Sequence, residues 1–317
     1  MNLYCIQSSF HSQLLKSILK NSSERSGIAI VKGGANFNTD YYHENNIKLF
    51  YIKNSWLFPV FMLARLFSFT FDKIYISDIK SVYYQFLMVG FSSDKIIAYD
   101  DGASSISLLD LFLNGKKLPS LNGVETFGRF KILILKLLGV KLKNVDFKFS
   151  LFFTIFPFEG DKIINIKINR STNCISNNQE SVVFLGGKYV EVGILSEEMY
   201  LRAIWDALAR HPKSSFYYIP HRAESSYRVN SVAKLDRRIK IKNINVGVEE
   251  YFEEHPRDVP IAFYSLYSTA LFTLPLHFSA LNCYYRHIDL NQVCVEHRLA
   301  VSKTYELLKS TNYAEAY

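Results

Sequence analysis

Short apolar runs alternate along the first half of the chain with segments of helical length, and most of these runs stop at polar or glycine residues. Such a pattern predicts buried strands joined by helices, and therefore a parallel sheet. The predicted strands are Leu3 to Ser8, Gly27 to Lys32, Ile47 to Ile52, Lys73 to Ser77 and Lys95 to Tyr99, with helices at Phe10 to Leu19 and Asp78 to Phe91.

The second half repeats this alternation after a change in composition. Residues Asp161 to Gln179 are rich in Asn, Ser, Lys and Thr, which is typical of a linker. Beyond it the pattern predicts strands at Ser181 to Leu185, Phe216 to Ile219, Ile239 to Ile241 and Ile261 to Tyr264, and helices at Glu197 to Arg210 and Val248 to Glu254. Two successive α/β patterns predict two domains, 1–158 and 159–317.

Composition indicates a globular chain and leaves several partner classes open. The 317 residues are 49% hydrophobic and 21% charged, which suffices for a large core and suits two domains better than one. A net charge of +8 indicates an acidic partner, which could be nucleic acid, an anionic membrane surface or a phosphorylated substrate. The cysteines form no CxxC pair and no secretory signal is visible, so we expect reduced thiols, no structural zinc and a cytoplasmic location.

The run from Lys95 to Tyr99 stops abruptly at Asp100, Asp101 and Gly102. The carboxyl ends of parallel strands face the ligand crevice of an open α/β sheet, so an acid pair at this place indicates a site. Two adjacent carboxylates repel one another, which could raise the pKa of one of them and let it act as a base. Asp-Asp-Gly is also ordinary turn chemistry, and the tripeptide alone favours the turn.

Polar residues follow the predicted strands of the second half as well. His221 and Arg222 stand just beyond one strand end, while Ser265, Ser268 and Thr269 stand where a helix begins after another. The N–H groups and the dipole of a helix N-terminus can hold a phosphate, although a Ser-Thr pair there is more often an N-cap and a lone histidine is more often structural.

Three further positions are candidates for nucleotide binding. Gly186 and Gly187 follow a strand and could let the backbone approach a nucleotide, or could only form a turn. Glu249 begins a short acidic helix and could bind a ribose, but the start of a surface helix explains an acidic residue equally well.

The stretch from Ile74-Tyr75-Ile76-Ser77 to Tyr99-Asp100-Asp101-Gly102 resembles the bacterial sialyltransferases of the lipooligosaccharide, O-antigen and capsule type, in which a strand ends in an acidic-acidic-glycine motif. The order of an acid pair, then a histidine, then a hydroxyl pair also follows that family. Two departures are visible. The chain reads Pro220-His221 where relatives often read His-Pro, and Ser268-Thr269 where many have Ser-Ser.

The resemblance implies a GT-B-like fold, with two Rossmann-like α/β domains whose parallel sheets face a central cleft. Residues 1–158 would form the acceptor-side domain and 159–317 the domain that binds the CMP-sugar, with C-terminal helices that could pack back on the first domain. It also implies inverting, metal-independent transfer of sialic acid from CMP-sialic acid to a sugar hydroxyl, galactose above all, of a surface glycan or lipid-linked oligosaccharide. No cofactor is expected.

The same resemblance assigns roles to the candidate residues. Asp101 would be the general base and Asp100 would hold the acid pair or the substrate in place. His221 would balance charge on the departing CMP phosphate, and Ser268 and Thr269 would bind that phosphate. The other donor-binding candidates are Ser265, Gly186, Gly187, Arg222 and Glu249.

The literal His-Pro dipeptide of the family occurs at His211-Pro212, so two histidines compete for the role. His211 follows a predicted helix and precedes the strand Phe216 to Ile219, which places it on the amino edge of the sheet. His221 follows that strand, on the edge where ligands of α/β sheets bind. Position therefore favours His221.

Basic segments raise alternatives. Residues Phe127 to Leu138 interleave lysines with leucines at helical spacing, and Lys141, Lys143 and Lys148 follow. This segment is either a basic amphipathic helix that docks on an anionic bilayer at the inner face of the inner membrane, or a core helix with a solvated basic edge. The cluster Arg228 to Lys242 lacks interleaved aromatic residues, so no nucleic-acid partner is expected.

Two other functions compete with sialic acid transfer. The first is the same chemistry with another CMP-activated keto acid, of the Kdo or legionaminic type. The second, from a different class, is a noncatalytic membrane-associated scaffold of polysaccharide assembly, which the basic amphipathic segment would support.

Overall fold

The computed structural model describes residues 1–20, 22, 25–32, 37–52, 70–78, 95–114, 149–168, 180–278 and 281–317. These residues fall into two compact units, Met1–Lys167 and Ile168–Tyr317. The division expected from the sequence, after Phe158, comes before a strand that pairs with the first sheet.

The first unit contains a seven-stranded sheet in the order β3-β2-β1-β4-β5-β6-β7, and every pairing between neighbouring strands is parallel. Its strands are β1 (Asn2–Ile6), β2 (Gly27–Lys32), β3 (Ile47–Ile52), β4 (Ile74–Ile76), β5 (Ile96–Tyr99), β6 (Leu151–Thr154) and β7 (Ile163–Asn165). The central strands β1, β4 and β5 are buried along their whole length, as expected for apolar runs covered on both faces.

The described helices of this unit are α1 (Ser9–Lys20), α2 (Asp40–Glu44) and α3 (Ser104–Leu113). Apolar residues of α1 recur at helical spacing, so that Leu14, Leu15, Ile18 and Leu19 form one buried face. Core residues from β1, β2, β4 and β5 pack with Leu109 of α3 into one cluster. This packing fixes where each strand ends, and the candidate residues follow those ends.

The second unit contains a six-stranded parallel sheet in the order β10-β9-β8-β11-β12-β13. Its strands are β8 (Ser181–Leu185), β9 (Ser215–Ile219), β10 (Ile239–Ile241), β11 (Ala262–Ser265), β12 (Asn282–Tyr285) and β13 (Glu315–Ala316). Its helices are α4 (Glu197–Ala209), α5 (Ser226–Leu235), α6 (Val248–Glu254), α7 (Ala270–His277) and α8 (Val295–Thr311), with single 3-10 turns at Pro256–Asp258 and Leu290–Gln292.

Helix α4 illustrates how the sequence determines an element. The Ser196 hydroxyl accepts a hydrogen bond from the Met199 N–H at 3.3 Å, and Glu197 and Glu198 place negative charge at the positive end of the helix dipole. Tyr200 and Ile204 belong to its buried face, four residues apart. The predicted helix, Glu197 to Arg210, is thus confirmed to within one residue.

The strands predicted from apolar runs are confirmed to within about two residues at either end. Strands β6, β7, β12 and β13 and helices α2, α3, α5 and α8 were not predicted, and β7 lies inside the predicted linker. For α7 only the start was expected, at Ser268 and Thr269. The predicted helix at Asp78 to Phe91 apart from Asp78, the basic segment at Phe127 to Lys148 and most of the predicted linker lie outside the described residues. Within the part of the chain that the structure describes, no helix is both long and apolar enough to cross a membrane.

Candidate active site

Over six strands both sheets have the same strand order, and this order locates the edges where ligands bind. In each sheet the second and third strands lie on one side of the first strand, and the later strands lie on its other side. The order therefore reverses between β1 and β4 and between β8 and β11. Ligands of such sheets bind at the carboxyl ends of the strands beside this switch point. We call the edge where the strands end the carboxyl edge. The candidate residues of the first unit follow β5, and most of those of the second unit follow β8, β9 and β11.

Asp101 lies at the carboxyl edge of the first sheet, where two side chains hold its carboxylate. One carboxylate oxygen, Oδ1, lies 2.8 Å from Nε2 of His11. The other, Oδ2, accepts a hydrogen bond from the Ser104 hydroxyl at 3.1 Å. The side chain of Asp101 is 33% exposed. The carboxylate is therefore fixed in position and still reachable from solvent.

His11 is held at both of its ring nitrogens. Nδ1 accepts a hydrogen bond from the Gln7 N–H at 3.2 Å, and the side chain is only 3% exposed. A neutral imidazole that accepts at Nδ1 carries its proton on Nε2. His11 in its neutral form therefore donates a hydrogen bond from its Nε2–H to the Asp101 carboxylate. Because it is buried, His11 can orient Asp101 but cannot itself contact a substrate.

No local pattern in the sequence marks His11 as a site residue. It lies 90 positions before Asp101, and the strand order β1-β4-β5 is what brings the two residues together. The position of His11 in the sequence could nevertheless have indicated a site residue, since it lies in the first turn of the helix that follows the first strand. Ser8 precedes this turn, and its hydroxyl accepts a hydrogen bond from the His11 N–H at 3.2 Å.

Asp100 differs from its neighbour because it is completely buried. One of its oxygens, Oδ2, accepts a hydrogen bond from the Ile155 N–H at 2.7 Å, and Oδ1 has no hydrogen-bond partner among the described residues. Burial raises the pKa of Asp100 to about 8, and repulsion from Asp101 is only a minor contribution. One carboxyl of the pair thus has a raised pKa, as expected, but desolvation is the main cause and the group is the inaccessible one.

Gly102 allows the turn after the acid pair. Its φ is +72°, a conformation that residues with a side chain rarely adopt. The Asp101 N–H donates to the Ser105 hydroxyl at 2.7 Å, and the Ser105 N–H donates to the Gly102 carbonyl at 2.9 Å. The tripeptide therefore forms a turn into α3 and also presents Asp101 at the carboxyl edge, so the two interpretations of the sequence are compatible.

His221 is exposed and follows the end of β9 at the carboxyl edge of the second sheet, as predicted. Its Nδ1 accepts a hydrogen bond from the Ala223 N–H at 3.1 Å, so the neutral ring carries its proton on Nε2. Partial desolvation of the ring, together with the positive charges of Arg222 and Lys188, lowers the pKa of His221 to about 4. The free protein therefore holds this imidazole neutral at pH 7, with an N–H that can be donated.

The competing histidine, His211, lies between α4 and β9, on the amino edge, as predicted. Its Nε2 lies 2.7 Å from the Tyr264 hydroxyl and its ring packs edge-on against the Tyr264 ring. Burial, followed by the charge of Arg210, lowers the pKa of His211. These contacts give His211 a packing role.

Gly186 and Gly187 admit side chains of the protein itself. A Cβ at Gly186 would lie 2.3 Å from the Glu224 carboxylate, and one at Gly187 would lie 2.4 Å from the Tyr189 ring. Their N–H groups donate to the Ile219 carbonyl at 2.8 Å and to the Tyr200 hydroxyl at 3.1 Å. In this conformation both N–H groups are engaged within the protein, so close packing explains the two glycines.

The hydroxyl residues after β11 differ from one another. Ser265 is fully buried and its hydroxyl donates to the Leu185 carbonyl at 2.9 Å, which makes it a structural residue of the strand. The Ser268 hydroxyl accepts a hydrogen bond from the Ala270 N–H at 3.2 Å, and the Leu271 N–H donates to the Ser268 carbonyl. Because the first N–H groups of α7 are engaged in this way, the partly exposed Ser268 and Thr269 could hold a phosphate mainly through their hydroxyls.

Glu249 lies close to this hydroxyl pair. It is buried in the first turn of α6, and its carboxylate accepts a hydrogen bond from the Thr273 hydroxyl in α7. The start of α6 is thereby joined to α7, whose first turn follows Ser268 and Thr269. The structure thus joins the buried carboxylate of Glu249 to the helix that begins after Ser268 and Thr269. Within the described residues, no three His, Cys, Asp or Glu side chains are grouped so that they could hold a metal ion.

Comparisons with solved structures match nearly the whole chain. The GT-B domain of a sialyltransferase from Photobacterium damselae aligns with a TM-score of 0.54 and 12% identity, covering 100% of this chain and 99% of that one. An α/β-galactoside α-2,3-sialyltransferase from the luminous marine bacterium Photobacterium phosphoreum aligns with a TM-score of 0.55 and 12% identity, covering 99% and 97%. This chain has the GT-B fold.

The GT-B fold alone does not determine the reaction. A UDP-GlcNAc 2-epimerase from Methanocaldococcus jannaschii, in complex with UDP-GlcNAc and UDP, also aligns, with a TM-score of 0.53, 10% identity and coverage of 100% and 89%. No protein-family model and no curated protein matches the sequence. The reaction therefore depends on the residues of the site and not on the fold.

Proposed function

We propose that this chain is an inverting glycosyltransferase that transfers sialic acid from CMP-sialic acid to a hydroxyl of a terminal sugar, galactose first, on a bacterial surface glycan. The observation that carries the proposal is the carboxylate of Asp101. It lies at the carboxyl edge of a GT-B domain, is one-third exposed and is oriented by a buried histidine, His11. A fixed and accessible carboxylate is what deprotonation of an acceptor hydroxyl requires.

In the proposed reaction, the acceptor hydroxyl attacks the anomeric carbon of the donor sugar. The new bond joins the acceptor oxygen to that carbon, the bond from the carbon to the CMP phosphate oxygen breaks, and the acceptor proton passes to Asp101. The His11 N–H holds the carboxylate in a single orientation while the proton arrives. Attack opposite the leaving group inverts the anomeric configuration.

The leaving CMP takes the electron pair of the broken bond, so negative charge grows on its phosphate. We assign the Nε2–H of His221 to that phosphate, because the ring is exposed at the carboxyl edge and its Nδ1 is engaged with the Ala223 N–H. The Ser268 and Thr269 hydroxyls would bind other phosphate oxygens. Binding of an anion would raise the pKa of His221 from its low value in the free protein. A proton taken up as CMP departs would go to Nδ1, which would then give up the hydrogen bond that it accepts from the Ala223 N–H.

The donor nucleotide gives a first test. CMP is expected to raise the midpoint of thermal unfolding in buffer with excess EDTA, because a ligand at about 100 times its Kd stabilises the folded state by about 2.7 kcal/mol. UMP and UDP at the same concentration should protect much less. Ser268→Ala should weaken the protection by CMP, while Ser226→Ala, the same change at an exposed position of α5, should leave it unchanged. Protection by UDP and not by CMP would instead indicate a UDP-sugar reaction.

A further inference from the structure

The Glu224 carboxylate contacts the turn that carries His221 on one side and two tyrosine hydroxyls on the other. Glu224 Oε1 accepts hydrogen bonds from the hydroxyls of Tyr218 at 2.5 Å and of Tyr200 at 3.2 Å. Its other oxygen, Oε2, accepts a hydrogen bond from the His221 N–H at 2.6 Å. Both tyrosines are fully buried. The carboxylate therefore joins the interior of the second sheet to the backbone of His221.

The chain makes room for this contact at Gly186. A Cβ there would lie 2.3 Å from Glu224 Oε2 and 2.5 Å from the Tyr218 hydroxyl. Any residue larger than glycine would displace the carboxylate from under the turn. Gly186 and Glu224 are far apart in sequence, so two separate features of the chain serve the same contact.

The turn is closed at three points, and one of them is the His221 ring. The Glu224 N–H donates to the His221 carbonyl at 2.8 Å, while the Glu224 side chain accepts from the His221 N–H. The Ala223 N–H donates to Nδ1 of the ring at 3.1 Å. Backbone and ring are thus held together, so a shift of the Glu224 carboxylate would move the imidazole and change which ring nitrogen carries the proton.

We infer that Glu224 is a positioning residue that acts through His221, holding the backbone so that the imidazole presents its Nε2–H at the carboxyl edge. The functional part of this inference rests on the role proposed above for His221. Glu224 does not need to contact substrate, since both of its oxygens are occupied within the protein.

The contact depends on a carboxylate, which accepts hydrogen bonds at both oxygens. An amide has one accepting oxygen and one donating NH2 group. In Glu224→Gln, the NH2 group must therefore face either the His221 N–H or the two tyrosine hydroxyls. When it faces the His221 N–H, two donors oppose each other and the turn shifts. When it faces the tyrosines, one of the two buried hydroxyl protons is left without an acceptor, because the Gly187 N–H already donates to the Tyr200 oxygen and the two hydroxyls can share only one of their protons, so this orientation is disfavoured as well. Tyr218→Phe is a matched control, since it removes the two hydrogen bonds of the Tyr218 hydroxyl, to Glu224 Oε1 and to the Tyr200 hydroxyl, and leaves Oε2 with the His221 N–H.

The first measurement needs no turnover. Long-range 1H–15N spectra at pH 7, assigned by the loss of one imidazole in His221→Ala, report which ring nitrogen of His221 is protonated. The wild type and Tyr218→Phe should show the Nε2–H form alone. Glu224→Gln should show exchange between the two tautomers. Unchanged His221 signals in folded Glu224→Gln would overturn the inference, whatever the activity of the protein.

The second measurement is turnover of CMP-sialic acid. Glu224→Gln should lower kcat by about tenfold to a hundredfold, the scale of a misplaced catalytic group, with the acceptor KM changed by less than about twofold. In a His221→Ala background, the same change should have almost no further effect, because a residue that acts through another contributes nothing once that residue is removed. Full additivity in the double variant would contradict the inference.

A loss of stability, a failure of the proposed function and a failure of the inference about Glu224 give different results. Tyr218→Phe should lower the thermal midpoint while kcat stays within about twofold of the wild type. If Glu224→Gln does not fold, Glu224→Asp tests the same contact with a carboxylate shorter by one methylene. If neither folds, Glu224 serves the fold itself and the inference is wrong. A wild type with no turnover of any CMP-sugar would refute the proposed function, and the ring signals would still decide whether Glu224 positions His221.

Discussion

Asp101→Asn is expected to lower turnover by about 10²-fold or more, the scale for removing a positioned proton acceptor. The fold should be preserved, because asparagine has the same shape and its amide oxygen can still accept the hydrogen bond from the His11 N–H. Binding of CMP should also be preserved, since the proposed phosphate ligands lie in the other unit. Steady-state kinetics with CMP-sialic acid and a galactoside give the turnover, and thermal protection by CMP reports donor binding.

Two controls separate the base from its surroundings. Asp40→Asn makes the same change at an exposed position of α2 and should leave turnover unchanged. Asp100→Asn should cost much less than Asp101→Asn. Burial raises the pKa of Asp100 to about 8, so this carboxyl is mostly neutral at pH 7, and an amide oxygen can still accept the Ile155 N–H.

His11→Gln tests the orienting contact. Hydrogen bonds to charged groups contribute about 1.5–3 kcal/mol, so loss of the geometry at Asp101 should reduce turnover by roughly tenfold or more. His43→Gln, at an exposed position, is the matched control.

If Asp101→Asn retained near-normal turnover, the base would lie elsewhere and Asp-Asp-Gly would be only the turn that begins α3.

His221→Ala is expected to abolish most turnover while CMP still binds weakly, and His211→Ala should behave nearly as wild type. The two histidines lie at opposite ends of β9, and only His221 lies at the carboxyl edge. His211→Ala removes a hydrogen bond to Tyr264, which should cost about 1 kcal/mol of stability. Turnover and thermal midpoints of both folded variants test this ranking, and the reverse ranking would show that the literal His-Pro dipeptide is the functional one.

Proton uptake gives His221 a second signature. Its pKa is about 4 in the free protein, because the ring is partly desolvated and lies near Arg222 and Lys188. An anionic phosphate at the ring would raise that pKa, so CMP binding near pH 5 should take up protons. Calorimetry in buffers of different ionisation enthalpy measures this uptake. It should disappear in His221→Ala and remain in His211→Ala.

The sequence predicted the features that depend on local pattern. Strands covered on both faces appear as continuous apolar runs, so the ends of β5 and β9 could be located, and Asp101 and His221 follow those ends. The unpredicted helices α5 and α8 have weaker patterns, since few of their residues are buried. The short strands β6 and β7, of four and three residues, were not predicted either.

Features that depend on long-range packing could not be predicted. The contact of His11 with Asp101 follows from the order in which β1, β4 and β5 pair, which no local pattern specifies. The sequence suggested that repulsion between Asp100 and Asp101 would shift a pKa, whereas complete burial of Asp100 is the larger cause. The roles of Gly186 and Ser265 likewise depend on neighbours distant in sequence, Glu224 and Leu185.

The most direct test of the central claim is the product of one reaction. Purified protein is incubated with CMP-sialic acid and a panel of galactosides, and the product is analysed by NMR. We predict release of CMP and a sialylated galactoside whose anomeric configuration is opposite to that of the donor, formed equally well with excess EDTA and lost in Asp101→Asn. A product with retained configuration, or transfer from a UDP-sugar while CMP-sialic acid remains intact, would contradict the account.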